Sequence, residues 1–451
     1  MGYHSHIDSS IEATFDTALL ASLAPDGGLW MPDDIPLFDD AEMARLGAMD
    51  FADCAAKLAR HFTSDEFDDD TLKSICRDAY DFPLPMRTFR GETLEPAMPP
   101  NANDFILELF HGPTLAFKDF AARFMGRAAS HLMSRTGKRR TILVATSGDT
   151  GGAIGDAFLH QDGIDVFVLY PEGGVSSVQE RQLCTIGGGR ANVHAIAVSG
   201  TFDDCQQLVK DAFADDEMTS RFDLMSANSI NVGRVIPQSF YYYWAALQAK
   251  AAYPHRGIVF SIPSGNLGNL TGGLIALKMG APIDQFVVAN NINDPFVDYL
   301  ADGQFRPRPS HATLSNAMDI GNPNNFPRIL SLFGQDWNRV RTHCWGASFD
   351  DETTARYIRR VHKETGYRLC PHTAVGHLGM NAFRHAFPID ATFITVGTAH
   401  PAKFADSLET ILREPVPLPD VLADAMAQEP VVHSMPPYLD TLSDFITSVI
   451  S

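Results

Sequence analysis

Residues 105–133 read F-I-L-E-L-F-H-G-P-T-L-A-F-K-D-F-A-A-R-F-M-G-R-A-A-S-H-L-M. The apolar run from Phe105 to Phe110 is strand-like, and Gly112 and Pro113 then turn the chain. From Asp119 to Met133, Phe120, Phe124, Ala128 and Leu132 recur four apart, flanked by Ala121, Met125 and Ala129, which makes one apolar helical face. The same alternation continues downstream. Strand candidates fall at 141–146, 164–170, 193–198, 258–262, 285–289 and 392–397, with helical stretches between most of them. This pattern predicts parallel sheets covered by helices on both faces. The fold class is α/β.

A chain of 451 residues is too long for one compact core and suits two or three domains. Hydrophobic residues make up 45% and charged residues 20%, a globular balance. Lys and Arg total 35 against 55 Asp and Glu, a net charge of −20. Such a surface repels polyanions, so neither nucleic acid nor an anionic membrane is an expected partner. An anionic substrate must then be held by a local pocket. The six cysteines, at 54, 76, 184, 205, 344 and 370, form no C-x-x-C pair, which argues against a zinc ribbon or a redox motif. The pairs His4 with His6 and His372 with His377 lack supporting carboxylates or thiolates, so they read as structural or solvated and no metal site is expected. There is no basic region followed by an apolar run at the N-terminus, and no membrane-length apolar stretch. A soluble cytoplasmic protein is the expectation.

Within the first 88 residues, Phe51 to Phe62 is apolar-periodic and reads as part of a small helical unit. Pro83 to Asp104 is rich in Pro and Asn and reads as an exposed connection. The tail after residue 415 ends in an amphipathic segment, Leu439 to Ile450, which packs either on the body or on a partner.

Ligands in open α/β sheets bind beyond the carboxyl ends of strands, so the junctions after the strands carry the chemistry. In H-G-P-T-L-A-F-K-D, residues 111–119, Lys118 falls where the helical face begins. The positive end of the helix dipole disfavours its ammonium form. Phe117 and Phe120 flank it, and desolvation lowers a lysine pKa further. An easily deprotonated lysine is what a Schiff base requires, although most lysines at helix starts are surface residues. In T-S-G-D-T-G-G-A, residues 146–153, Ser147, Thr150 and backbone N–H groups at a helix start form an anion site. Asp149 is repulsive there unless it accepts a hydrogen bond from something specific. In P-S-G-N-L-G-N-L-T-G-G, residues 263–273, small residues let backbone amides close around a phosphate. The spacing matches neither G-x-G-x-x-G nor G-x-x-x-x-G-K-[ST], which argues against NAD and ATP. In V-G-T-A-H-P-A-K-F, residues 396–404, Thr398 ends a strand and either aims its hydroxyl into the cleft or caps the next stretch. A phosphate cradle, a depressed lysine, a hydroxyl for a ring nitrogen and an anion loop serve one chemistry together: pyridoxal 5′-phosphate (PLP) bound in an α/β sheet.

With F-x-x-x-F at 120–124 and N-S-I-N at 228–231, these segments, in this order, resemble threonine synthase, in the branch found in enteric bacteria and fungi. D-G-G-L-W-M-P at 26–32 belongs to the likeness, which extends over roughly residues 20–410. The resemblance implies the tryptophan-synthase-β-like fold (PLP fold type II), with two α/β domains, a cofactor cleft between them and a small N-terminal helical domain. It divides the chain into an N-terminal domain, 1–88, a large PLP-binding domain, 89–137 and 251–415, a small α/β domain, 138–250, and a C-terminal extension, 416–451. Position by position, it implies Lys118 as the Schiff-base lysine and catalytic base, and Gly265, Asn266, Leu267, Gly268 and Asn269 as the grip on the cofactor phosphate. Thr398 is implied to face the pyridine nitrogen. Ser147, Asp149 and Thr150 are implied to meet the substrate carboxylate, with Asp149 standing where related folds usually carry Asn. The segment A-N-S-I-N-V-G-R, 227–234, carries Val232 in place of the family's aromatic residue. It offers Asn231 and Arg234 for the substrate phosphate, Arg presenting a bidentate fork. Gln179 or Arg181, in S-S-V-Q-E-R-Q-L at 176–183, either shares that duty or, for Arg181, is a solvated helix charge.

The implied reaction converts O-phospho-L-homoserine and water to L-threonine and phosphate. Two alternatives stand beside it: a phospho-lyase that releases 2-oxobutyrate and ammonia, and a non-catalytic PLP-binding protein. The second predicts eroded motifs, and here the motifs are intact. Whether the enzyme is a monomer or a homodimer is left open.

Overall fold

The computed structural model describes residues 2–63, 66–94, 102–189 and 192–450. Two largely parallel sheets organise it. The larger has six strands in the order Cys344–Ser348, Gln285–Asn290, Gly257–Pro263, Ala391–Gly397, Asp104–Glu108 and Met86–Arg87. The first five run parallel, and Met86–Arg87 pairs antiparallel at the edge. The second is an all-parallel sheet of five strands, His433–Met435, Val193–Val198, Ile164–Pro171, Arg140–Ala145 and Leu224–Ser226. Every residue of Ile164–Pro171 and of Ala391–Gly397 is buried, as expected of strands covered by helices on both faces.

The helix Lys118–Thr136 follows strand Asp104–Glu108 and packs on helix Asp149–Phe158 of the second sheet. Its face of Phe120, Phe124, Ala128 and Leu132 is buried throughout. The approach is closest at Gly126, where a Cβ atom would lie 2.6 Å from the Ala157 carbonyl oxygen. The helix Val232–Ala252 lies against helix Gly268–Lys278, and a Cβ at Gly272 would stand 2.7 Å from that of Gln238. Both helices that open at the cofactor-type loops are thereby fixed in place by close packing.

Three expectations are corrected or completed. The N-terminal part is not wholly helical. It contains a three-stranded antiparallel sheet of Glu12–Ala13, Tyr3–Ser5 and Trp30–Pro32, tied to helix Phe51–Thr63 by Tyr3 Oη donating to the Phe62 carbonyl at 2.7 Å, and that helix packs on helix Asp69–Ala79. The connection read between Pro83 and Asp104 lies outside the described residues over 95–101, and its described start supplies the edge strand Met86–Arg87. The tail packs on the body: His433–Met435 extends the second sheet, and Leu442 and Ile446 of helix Leu439–Ile450 are buried with Leu208 and Phe222. All six cysteines are buried and unpaired. Among the described residues, no helix is long and apolar enough to cross a membrane, and no group of His, Cys, Asp and Glu is placed to hold a metal.

Leu442 is fully buried, so Leu442→Ala is expected to cost about 3 kcal/mol of stability, read as a lowered urea midpoint. An unchanged midpoint would mean that the tail does not dock.

Candidate active site

The loop that delivers Lys118 is built around Asp119. The Asp119 carboxylate accepts from the Thr114 N–H at 3.0 Å and from the Thr114 hydroxyl, and a Cβ at Gly112 would collide with it. Burial pushes the Asp119 carboxyl up to about 7. The Phe117 N–H donates to the Thr398 carbonyl at 2.8 Å, so the start of the lysine helix is tied to the end of strand Ala391–Gly397. Lys118 Nζ donates to Thr150 Oγ1 at 2.6 Å. Burial brings the Lys118 amine down to about 8; Asp149 opposes this, while Arg234 and Lys403 reinforce it.

Across the cleft, Thr146 Oγ1 accepts from the N–H groups of Gly148 and Gly151 at 3.0 and 2.9 Å, bending the chain into helix Asp149–Phe158. Gly148 takes φ 136°, and a Cβ there would lie 2.6 Å from Gln179 Nε2. The Asp149 side chain is satisfied. Its Oδ1 accepts from Gln179 Nε2 at 2.8 Å and pairs with Lys403 Nζ at 2.9 Å. Burial pulls its carboxyl upward, but the ammonium groups of Lys403 and Lys118 outweigh that and hold it at about 2.

The third loop is stapled by Asn269, whose side chain donates to the Pro263 carbonyl at 2.9 Å and accepts from the Ser264 hydroxyl at 2.7 Å. Leu267 adopts φ 60° to open helix Gly268–Lys278, and its side chain is fully buried in the core. Asn266 is held by the Asn324 N–H at 2.8 Å and by Asn325 Nδ2 at 3.1 Å. A Cβ at Gly265 would lie 2.7 Å from Met318 Cα, so the backbone there has the tightness a glycine permits.

These junctions enclose a cavity of about 420 Å³, lined by Lys118, Ser147, Asp149, Thr150, Arg234, Gly265, Asn266, Gly268, Asn269 and Thr398 among others. Asp149 is the one carboxylate among the described lining residues, against Lys118, Lys210 and Arg234. Asn231 is a correction. It does not reach the cavity: its amide donates to the Leu19 and Ser226 carbonyls and the Ser22 hydroxyl, and its oxygen caps helix Val232–Ala252 through the Gly233 N–H. Arg181 lies outside as well, half-buried and bonded to the Gln428 carbonyl at 2.6 Å. Gln179 serves Asp149 instead.

The wall fits a phosphate-bearing aldehyde. Ser229 Oγ, Arg234 Nε and His372 Nδ1 are buried polar atoms without a hydrogen-bond partner on residues that line the cavity. Such atoms call for a polar ligand, and the depressed amine of Lys118 suits imine formation. A family model described as pyridoxal-phosphate dependent enzyme matches residues 105–398, and models of the threonine synthase N terminus and C-terminal part match 2–80 and 373–446.

The chain belongs to the threonine synthase family.

It is 40% identical to threonine synthase of Escherichia coli strain K12 over 429 residues, 95% of each chain. It is 33% identical to that of Saccharomyces cerevisiae, over 88% of this chain and 86% of the other. The solved threonine synthase of E. coli superposes with a TM-score of 0.89 at 38% identity over both chains in full, and PLP-bound threonine synthase from Brucella melitensis with 0.88 at 34% over 99% of each. A maize serine racemase at 14% identity and TM-score 0.52 shares the fold alone. The protein is thus a PLP-dependent enzyme of fold type II.

Two residues of this threonine synthase family member, Lys403 and Arg328, escaped the sequence reading, and a third, His372, was read there only as structural or solvated. Lys403 is the cation that Asp149 demanded. His372 lines the cavity as a neutral imidazole, held down to about 4 by burial, and its Nε2 accepts from the Ala317 N–H at 3.2 Å, which leaves the proton on Nδ1. Arg328, fully buried, donates to the Trp30, Ser229 and Ile230 carbonyls and to Asn325 Oδ1, joining the N-terminal sheet, the 227–234 segment and the Gly265 loop. The odd carboxylate at 149 was a readable signal for a cation. Nothing local marked the other two.

The Gly265 backbone has no space for a side chain, so Gly265→Ala is expected to weaken PLP retention by roughly tenfold or more, measured by fluorescence titration of apo-protein. Unchanged affinity would place the phosphate grip elsewhere.

Proposed function

We propose that this threonine synthase family member acts on O-phospho-L-homoserine, replacing its γ-phosphate chemistry with water addition at the β carbon to give L-threonine and phosphate. The observation that carries the reading is the pairing of a depressed, cavity-facing Lys118 amine with a cavity wall rich in cationic and N–H donors.

In this reading Lys118 would hold PLP covalently, the Gly265–Asn269 loop would receive its phosphate at the start of helix Gly268–Lys278, and Thr398 would offer a neutral hydroxyl to its ring nitrogen. When bound, PLP supplies a conjugated electron sink for carbanions formed on the substrate; an unprotonated ring nitrogen makes that sink a moderate one.

The chain's own groups do the rest. The N–H groups and hydroxyls at Ser147 and Thr150, at the start of helix Asp149–Phe158, receive the substrate carboxylate. Arg234 Nε and Ser229 Oγ, both buried without partners, are donors suited to the substrate phosphate. Lys118 Nζ, facing the cavity beside Thr150, is the base placed to take the α proton. With a pKa near 8, a sizeable fraction of the amine is neutral at physiological pH, which an ordinary lysine near 10.4 does not provide. Thr150 Oγ1, at 2.6 Å from Nζ, orients that amine. A β proton and the γ-phosphate then leave, water adds its oxygen to the β carbon, and protons return to the α and γ carbons.

Six buried unpaired thiols accord with a reducing compartment, and we place the enzyme in the cytoplasm. A monomer and a homodimer are both compatible with this reading.

Purified holoenzyme supplied with O-phospho-L-homoserine is expected to release threonine and phosphate in equal amounts, and Lys118→Ala to lose roughly 10³-fold or more of this activity. Phosphate matched by 2-oxobutyrate would make the protein a lyase, and absence of phosphate release would mean a different substrate.

A further inference from the structure

Asp149 is a carboxylate inside a loop that the proposed function gives to another carboxylate. Its surroundings explain how both fit. Asp149 and Lys403 are among the most enclosed charged groups of the molecule, their side chains 5% and 1% exposed. Lys403 sits in the 3₁₀ turn Pro401–Phe404, just beyond strand Ala391–Gly397 of the larger sheet, whereas Asp149 opens a helix of the second sheet. Their contact of 2.9 Å therefore spans the cleft from one sheet to the other.

Every neighbour fixes this arrangement. Lys403 Nζ also donates to the Thr114 carbonyl at 2.6 Å, inside the loop that carries Lys118. Gln179, the other donor to Asp149, belongs to the capping box of helix Ser177–Cys184, and the capping Ser176 donates its hydroxyl to the Lys403 carbonyl at 2.8 Å. The remaining charged groups nearby are Lys118 and Arg234, which face the cavity, and Asp119, whose carboxylate is spent on Thr114.

We infer that Lys403 is a positioning residue of the reaction: it holds Asp149 as half of a net-neutral pair, so that the loop presents N–H groups and hydroxyls, but no net negative charge, to the substrate carboxylate. This rests on the proposed role of the 147–150 loop. Without Lys403, Asp149 is an uncompensated buried charge that repels the incoming carboxylate and favours the ammonium form of Lys118. Removing the carboxylate as well removes the need for the cation, because a buried ion pair can be replaced by neutral groups.

The test compares wild-type holoenzyme with Lys403→Met, Asp149→Asn and the double variant, with threonine and phosphate measured as functions of O-phospho-L-homoserine concentration. PLP absorbance and thermal unfolding are followed in parallel. Lys403→Met is expected to raise KM by about 100-fold with a much smaller change in kcat, and adding Asp149→Asn is expected to recover at least about tenfold of the lost kcat/KM. A double variant no better than Lys403→Met, or a loss confined to kcat, overturns the assignment. If Lys403→Met fails to fold or to retain PLP, the same pairing predicts that Asp149→Asn restores its soluble, PLP-loaded yield, and failure to do so overturns it. Failure of wild type to form threonine would overturn the functional reading itself, and is read independently of the variants.

Discussion

Several cations are buried around one cavity, and Asp149 is the one carboxylate among the described residues that line it. An ammonium or guanidinium withdrawn from water without its own counter-ion shifts toward its neutral form, and the shift appears at Lys118, brought to about 8, and at Arg234 and Arg328, brought to about 10 and 9 by burial. Among the described lining residues Asp149 supplies the one carboxylate, and Lys403 pairs with it. The residual field in the cavity is positive although the chain as a whole carries −20. A dianionic substrate is thus drawn to a local site that opposes the overall surface charge, and the same field keeps the lysine amine available.

This charge balance depends on backbone held at helix starts. Lys118–Thr136, Asp149–Phe158 and Gly268–Lys278 all open toward the cavity, so their N-terminal dipoles add to the positive field. Their positions are set by close approaches that leave no space for a side chain, at Gly126 against Ala157, at Gly272 against Gln238 and at Gly265 against Met318. Arg328 joins the loops by donating to backbone carbonyls of segments about 100 and 300 residues away in sequence.

What the sequence made legible follows from range. Each strand-to-helix junction is a local motif, so the Lys118 segment and the two glycine-rich loops stand out from apolar periodicity and small residues, whereas the role of Thr398 came from the resemblance to threonine synthase. The six strand positions read from the sequence correspond to observed strands within a residue or two. Two strands were missed: Leu224–Ser226 has three residues, too few to show a period, and Cys344–Ser348 reads C-W-G-A-S, without an apolar run. Asn231 was misplaced because Asn228, Ser229 and Asn231 sit in one segment, and the choice of which amide faces the cavity is made by Leu19 and Ser22, more than 200 residues away. Lys403 went unread, and His372 was read only as structural or solvated, for the same reason, since their places at the cavity exist only once the two sheets face each other.

The central claim is that the protein lowers the Lys118 amine to about 8 before any ligand is bound, so that a sizeable fraction is neutral at physiological pH. Competitive labelling of apo-protein with a trace amine reagent across a pH series, with the Lys118 peptide quantified by mass spectrometry, measures its pKa directly. Half-maximal labelling near pH 8 is the predicted result. A midpoint near the ordinary lysine value of about 10.4 would contradict the account, because the buried cations would then exert no pressure on the amine.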